Sequence, residues 1–187
     1  MRTLVIHFSH SGNNRLLASV LARRLGCDSL AVTEPKRRTL LTIFLDMAFG
    51  RRPRIVPLDI DWTAFDCVIC VAPLWAAHVA HPMQTLLRQA APSLRRYAFI
   101  TLCGYHRPDQ RAAIEAQLQA LTGQPAIAVE ELPVCELMPA SQRDDVRAVS
   151  RHRATLPELA HFERAIEGFL KQVLQTAPPE PRPNPTL

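Results

Sequence analysis

Short apolar runs rich in β-branched and aromatic residues, each ending in a loop and separated from the next by a helical stripe, leave this chain few folds. Three such runs stand out, at residues 3–8 (TLVIHF), 67–72 (CVICVA) and 97–102 (YAFITL). Runs of this kind read as strands buried on both faces. Leu16, Leu17, Val20, Leu21 and Leu25 fall on one side of a helix that opens near Asn13 and closes at Gly26, a suitable residue for the position after a helix. Met83, Leu86 and Leu87 mark a second helix, Ile114, Leu118 and Leu121 a third, and Phe162, Ile166, Phe169, Leu170 and Val173 a last one. Weaker strands are expected at 29–33 and 126–132. The alternation is β-α-β-(insert)-β-α-β-α-β-α, which calls for a parallel sheet with helices on both faces and right-handed crossovers. At 187 residues the chain holds one core, so residues 1–176 read as one domain.

Two segments depart from the alternation. Lys36, Arg37 and Arg38 on one side and Arg51, Arg52 and Arg54 on the other bracket an apolar stretch, and an extra helix is expected over about 36–54. The simplest role for it is packing on its own sheet; a lid, a dimer face or a membrane-surface contact are the alternatives. The tail, residues 177–187, carries Pro178, Pro179, Pro181, Pro183 and Pro185, cannot continue a helix, and reads as disordered. The N-terminal apolar run is too short for a signal sequence and no window is long enough to span a membrane, so a cytoplasmic protein without a transmembrane segment is expected. Five cysteines, an odd number lying mostly within apolar runs, point to reduced buried thiols. The net charge of +5 comes almost wholly from arginine and suits anionic ligands. Aromatics make up 6% of the chain and no basic-aromatic module appears, so nucleic acid is not an expected partner.

The first strand runs directly into Ser9, His10, Ser11, Gly12, Asn13 and Asn14, and these lead into the first helix. In open parallel sheets ligands bind beyond the carboxyl ends of the strands. A phosphate placed here meets free N–H groups and the positive end of a helix, with Ser9, Ser11 and Asn14 as side-chain donors and Gly12 permitting close backbone approach. The Gly-Lys-Ser/Thr ending of a nucleoside-triphosphate loop and the G-x-G-x-x-G dinucleotide fingerprint are both absent. Alone, the loop predicts a bound phosphate or merely a helix cap.

The loop resembles that of the flavodoxin family, Thr/Ser-x-Thr/Ser-Gly-x-Thr/Asn, with Ser9, Ser11, Gly12 and Asn14 in the four matching places. Two further loops extend the resemblance. After the run at 67–72, Pro73, Leu74, Trp75 and Ala76 precede a helix near Pro82, where the family places Gly-Ser/Thr-Pro-x-Trp/Tyr along its isoalloxazine ring. After the run at 97–102, Cys103, Gly104 and Tyr105 stand where the family has a glycine-containing loop at the flavin's pyrimidine edge. Val71 replaces a usual glycine, and Tyr105 another. The resemblance implies a flavodoxin-like three-layer αβα sandwich with a five-stranded parallel sheet in the order 2-1-3-4-5, and FMN as cofactor. A planar ring needs an aromatic wall and close backbone donors, and Trp75 can supply the wall.

Other constellations point elsewhere less well. Cys67 and Cys70 have C-x-x-C spacing inside a strand, where they face opposite sides and belong to the core. Cys103 and Arg107 lack the Cys-x5-Arg spacing of a tyrosine phosphatase loop. His78 and His81 have no further ligands placed by sequence, so no metal is expected. His106 and Arg107 follow the third loop and are expected at the surface, within reach of an anionic substrate or a nicotinamide cofactor's phosphate. The resemblance implies an FMN oxidoreductase taking electrons from NAD(P)H to a quinone or similar small acceptor. The alternatives are an electron-transfer flavodoxin whose partner is a redox protein and a binding module without turnover. A basic chain favours the enzyme, because carrier flavodoxins are typically acidic, and a homodimer is plausible.

Overall fold

The computed structural model describes residues 1–35 and 53–175. Both the expected insert at 36–54, apart from its last two residues, and the proline-rich tail lie outside the described residues. Five strands form one parallel sheet: β1 (Thr3–His7), β2 (Ser29–Ala31), β3 (Cys67–Val71), β6 (Tyr97–Cys103) and β7 (Val129–Pro133). Their order is β2-β1-β3-β6-β7, which is 2-1-3-4-5 when the sheet strands alone are counted. All four pairings are parallel, so the flavodoxin-like three-layer arrangement read from the sequence is the one observed. The chain leaves β1 toward one edge and returns on its other side. The loops after β1 and β3 therefore diverge, leaving a crevice at the carboxyl edge of the sheet.

Every residue of β1, β3 and β6 is buried, and these are the three runs with the clearest apolar signal. Strand β2 lies at the edge with Ser29 and Ala31 exposed, which explains its weaker pattern. Side chains alternate between two apolar layers. Val5, Ile69, Ile100 and Leu132 face α1 (Asn13–Leu25) and α5 (Glu163–Gln175), meeting Leu17, Leu21, Ile166 and Phe169. Leu4, Ile6, Val68 and Phe99 face α2 (His81–Ala90) and α3 (Gln110–Thr122), meeting Met83, Leu87, Ile114 and Leu118. Cys67 and Cys70 fall into opposite layers, as a period of two demands for residues three apart. Burial pushes the Cys67 thiol up to about 11 and the Cys70 thiol higher still. Both shifts disfavour the thiolate, the nucleophilic form.

Helix α1 closes as expected. Gly26 adopts a left-handed conformation at φ 59°, and the Cys27 N–H donates to the Ala22 carbonyl at 3.0 Å. Among the described residues no helix is long and apolar enough to cross a membrane. Two features are absent from the sequence-derived alternation. A short helix α4 (Val146–Arg151) lies between β7 and α5, with Asp145 accepting from the Arg147 and Ala148 N–H groups as its cap. Strands β4 (Leu74–Trp75) and β5 (His78–Val79) form a small antiparallel hairpin directly after β3.

The hairpin turn is built from Ala76 at φ 48° and Ala77 at φ 65°. Two consecutive left-handed residues are the signature of a type I′ turn, which normally takes Asn-Gly because a Cβ in that region costs about 1–2 kcal/mol per residue. Replacing Ala76-Ala77 by Asn-Gly is therefore expected to stabilise the protein by about 1 kcal/mol, after the extra freedom of glycine in the unfolded chain is discounted. The midpoint of urea unfolding should rise with an unchanged slope.

Candidate functional site

The first loop is organised around the N-terminus of α1. Gly12, at φ 99°, turns the chain into the helix, and its carbonyl accepts the Leu16 N–H at 3.0 Å. The Ser9 hydroxyl accepts from the Gly12 N–H at 3.0 Å, and the Ser11 hydroxyl lies 3.5 Å from the Asn13 N–H. The first-turn N–H groups of a helix have no intrahelical acceptors, and no acidic residue stands in the first turn of α1. The result is a half-buried cradle of donors with two hydroxyls beside it, at the positive end of a helix dipole.

The two asparagines serve differently from the serines. The Asn14 side chain, 2% exposed, donates to the Leu102 carbonyl and accepts the Leu102 N–H, both at 3.0 Å. Asn13 donates to the His152 carbonyl and accepts the Ala154 N–H, both at 3.1 Å. Their amides tie the loop to β6 and to the segment following α4, so these side chains are engaged away from the cradle. Asn14→Ala leaves a buried N–H and a buried carbonyl of Leu102 without partners. It should destabilise the protein by about 2–4 kcal/mol, measured by chemical denaturation.

Two clefts flank Gly12. One of about 340 Å³ is bounded by His7, Ser9, His10 and Arg15 on one side and by Val32 and Thr33 beyond β2 on the other. The second, about 460 Å³, is lined by Ser11 of the loop, by Arg15 and Ser19 of α1, and by Arg153. Arg15 borders both, and with Arg153 it brings positive charge to the cradle. Arg153 also donates to the carbonyls of Arg151 and His152, at 2.8 and 3.2 Å, where it caps α4. Arg15 was detectable in the sequence as a cation in the first helical turn. Arg153 was not, because only the fold brings it to this loop.

His7 borders the first cleft, and its Nδ1 sits 3.2 Å from the Ser29 hydroxyl. Burial, followed by the charge of Arg15, lowers its pKa from the ordinary 6.5. Between 6.5 and that lowered value the unfolded chain holds a proton that the folded chain lacks, so the stability contributed above 6.5 is lost as pH falls through this window. His7→Gln should flatten this part of a stability-against-pH curve.

The second loop carries the aromatic wall. Pro73, Leu74 and Trp75 are half-buried and Ala76 is exposed. The Trp75 ring meets Phe8 edge-on at 5.7 Å, stacks with His81 at 6.2 Å and 29°, and approaches the exposed His10 edge-on at 6.5 Å. It thus stands at the end of β1 beside the phosphate-type cradle. In the third loop, Gly104 is exposed, and its carbonyl accepts the Cys135 N–H at 3.1 Å. The Cys103 thiol is buried, donates to the Tyr105 carbonyl at 3.4 Å, and is pushed up to about 12 by burial. Tyr105 packs onto the core layer shared with Val149, and Gly104 is an exposed member of this loop.

Side-chain contacts therefore join all three loops. Trp75 ties the second to the first through Phe8 and His10, and Asn14 ties the first to the base of the third through Leu102. His78 lies 3.1 Å from the Gln117 amide, and His81 stacks on Trp75. Among the described residues no group of three or more His, Cys, Asp or Glu side chains is arranged to hold a metal. Arg107 is exposed. His106 is not a simply solvated side chain, because its Nδ1 is 3.1 Å from the Glu131 carboxylate. The arrangement suits a phosphorylated ligand with a planar ring, the phosphate at Ser9 to Gly12 and the ring near Trp75 and Gly104.

No protein-family model matches the chain, and no curated protein matches it in sequence. Solved structures do resemble it. A flavoprotein from Lactobacillus acidophilus in complex with FMN superposes with a TM-score of 0.60 at 21% identity, covering 70% of this chain and 92% of that one. A protein from Bacteroides eggerthii described as a flavoprotein gives 0.65 at 14% identity over 94% and 99% of the two chains. An archaeal flavodoxin gives 0.53 at 13% identity over 94% and 100%. At these identities the likeness establishes the fold. The chain has the flavodoxin-like α/β fold.

Proposed function

We propose that this chain binds FMN in the crevice between the loops after β1, β3 and β6, and that it is an oxidoreductase passing electrons from NAD(P)H to a quinone or similar small acceptor. The observation that carries the proposal is the donor cradle at Ser9 to Gly12, lying at the point where the strand order reverses, with Trp75 beside it. The similar fold of the Lactobacillus acidophilus flavoprotein, solved in complex with FMN, supports it.

The residues present fit the group. The Ser9 and Ser11 hydroxyls lie over the Gly12 and Asn13 N–H groups, and rotating their O–H bonds outward adds donors for phosphate oxygens without moving the backbone. Arg15 and Arg153 offset the phosphate charge without a lysine. Trp75 offers an apolar face, and the exposed Gly104 allows backbone to approach a ring edge. Bound FMN supplies hydride and electron chemistry at its N5 atom. The protein's part is to orient the ring, to shield one side of it and to admit the donor and acceptor from the other. The +5 net charge favours approach of an anionic nicotinamide nucleotide, which separates this reading from that of an acidic carrier.

Three outcomes separate the candidate functions. Steady NAD(P)H oxidation with a quinone by the FMN-loaded protein supports the oxidoreductase. Rapid one-electron exchange with a redox protein, without nicotinamide oxidation, identifies a carrier. A protein that stays colourless after incubation with FMN is a binding module of another kind. At the site itself, Gly12→Asp adds bulk and negative charge where the phosphate must approach and is expected to abolish FMN binding, whereas Trp75→Ala should weaken it by about 0.5–1.5 kcal/mol. Equilibrium titration followed by flavin fluorescence reads both.

A further inference from the structure

Immediately beyond the third loop lies a carboxylate that the cofactor cradle does not use. Glu131 projects from β7 next to Thr101 of β6, its pairing partner, and its side chain is only 5% exposed. One carboxylate oxygen accepts from the Gln110 amide at 2.7 Å and lies 3.1 Å from His106 Nδ1. The other oxygen, Oε1, has no hydrogen-bond partner among the described residues, and neither has the buried Thr101 hydroxyl. Gln110, itself 6% exposed, also donates to the Tyr105 carbonyl at 3.2 Å, fixing the loop that carries His106. The imidazole, by contrast, is 62% exposed.

A buried carboxylate behind an exposed imidazole is an arrangement with a chemical consequence. The carboxylate accepts the Nδ1–H bond and sets the tautomer, leaving Nε2 outward as the position where a proton is given or taken. His106 follows Gly104 by two residues, which limits the separation of their Cα atoms to about 7 Å. Gly104 belongs to the loop assigned above to the ring edge.

Resting on the FMN reading, we propose that His106, positioned by Glu131, is the proton donor to the acceptor molecule, and that this acceptor is a quinone-like carbonyl compound whose reduction consumes a proton. The step balances as follows. The acceptor gains a hydride equivalent from the cofactor previously reduced by NAD(P)H, and its oxygen takes the proton of His106 Nε2–H. Imidazole is left as the Nδ1–H tautomer bonded to Glu131, and solvent returns a proton to the exposed Nε2.

The test compares two acceptors in the FMN-loaded protein. A benzoquinone requires protons, whereas ferricyanide takes one electron and none. His106→Gln and Glu131→Gln should each lower the ratio of quinone to ferricyanide rates at least tenfold. A ratio unchanged in both variants overturns the proposal, since a merely structural pair would slow both acceptors alike. A second readout needs neither cofactor nor turnover. In ¹⁵N-labelled protein the neutral His106 ring should be the Nδ1–H tautomer, shifting toward Nε2–H in Glu131→Gln; an Nε2–H tautomer in the unsubstituted protein overturns the proposal. If FMN does not bind but the Nδ1–H tautomer is found, the cofactor reading fails and the donor role fails with it, while the dyad geometry stands. If FMN binds and the rate ratio holds, the donor role alone fails.

Discussion

The Asn14 side chain holds the site together. By closing both hydrogen bonds on the backbone of Leu102 it sets where α1 begins relative to β6, and so fixes the distance between the first loop and the third. A buried amide satisfied at both ends specifies one geometry, because any shift leaves donors and acceptors unpaired in a low-dielectric interior. Asn13 repeats the device one residue earlier, against the segment after α4. Between them the two asparagines lock a glycine turn whose N–H groups would otherwise have several ways to point.

Trp75 makes the complementary connection on the other side. It sits in the β4–β5 hairpin, outside the main sheet, and that hairpin turns on two alanines in left-handed conformations. Such strain persists where the surroundings determine the backbone, and it gathers at binding loops. Here it aims one aromatic ring at the junction of β1, α2 and the donor cradle. The rigid sheet below and the constrained loops above divide the work: alternating apolar layers give stability, and the loops give recognition.

Much of this was legible in the sequence. The β1, β3 and β6 runs announce themselves because strands buried on both faces need no polar residue, and α1 because its apolar stripe ends at Gly26. The β4–β5 hairpin was not legible, since two-residue strands carry no periodicity and Ala76-Ala77 is not a turn-forming pair by composition. Asn14 read as a ligand-facing donor because an amide suits both a phosphate and a buried backbone clamp, and only the packing of α1 on β6 decides between them. Tyr105 was placed at the ring edge by the resemblance alone, and the chain around Val149 and Cys135, distant in sequence, packs it against the core. Glu131 gave no signal at all. Beside Glu130 in an edge strand it reads as solvated surface, and only the fold brings Gln110, at the start of α3, against its carboxylate.

The decisive measurement concerns the phosphate. Titrating the purified protein with FMN and, separately, with riboflavin isolates the contribution of the cradle at Ser9 to Gly12, because the two ligands differ only in that group. Several charge-assisted hydrogen bonds at about 1.5 kcal/mol or more each should make FMN bind at least about 100-fold tighter than riboflavin, with quenched flavin fluorescence. Equal affinities, or no binding of FMN, would contradict a phosphate site in the first loop.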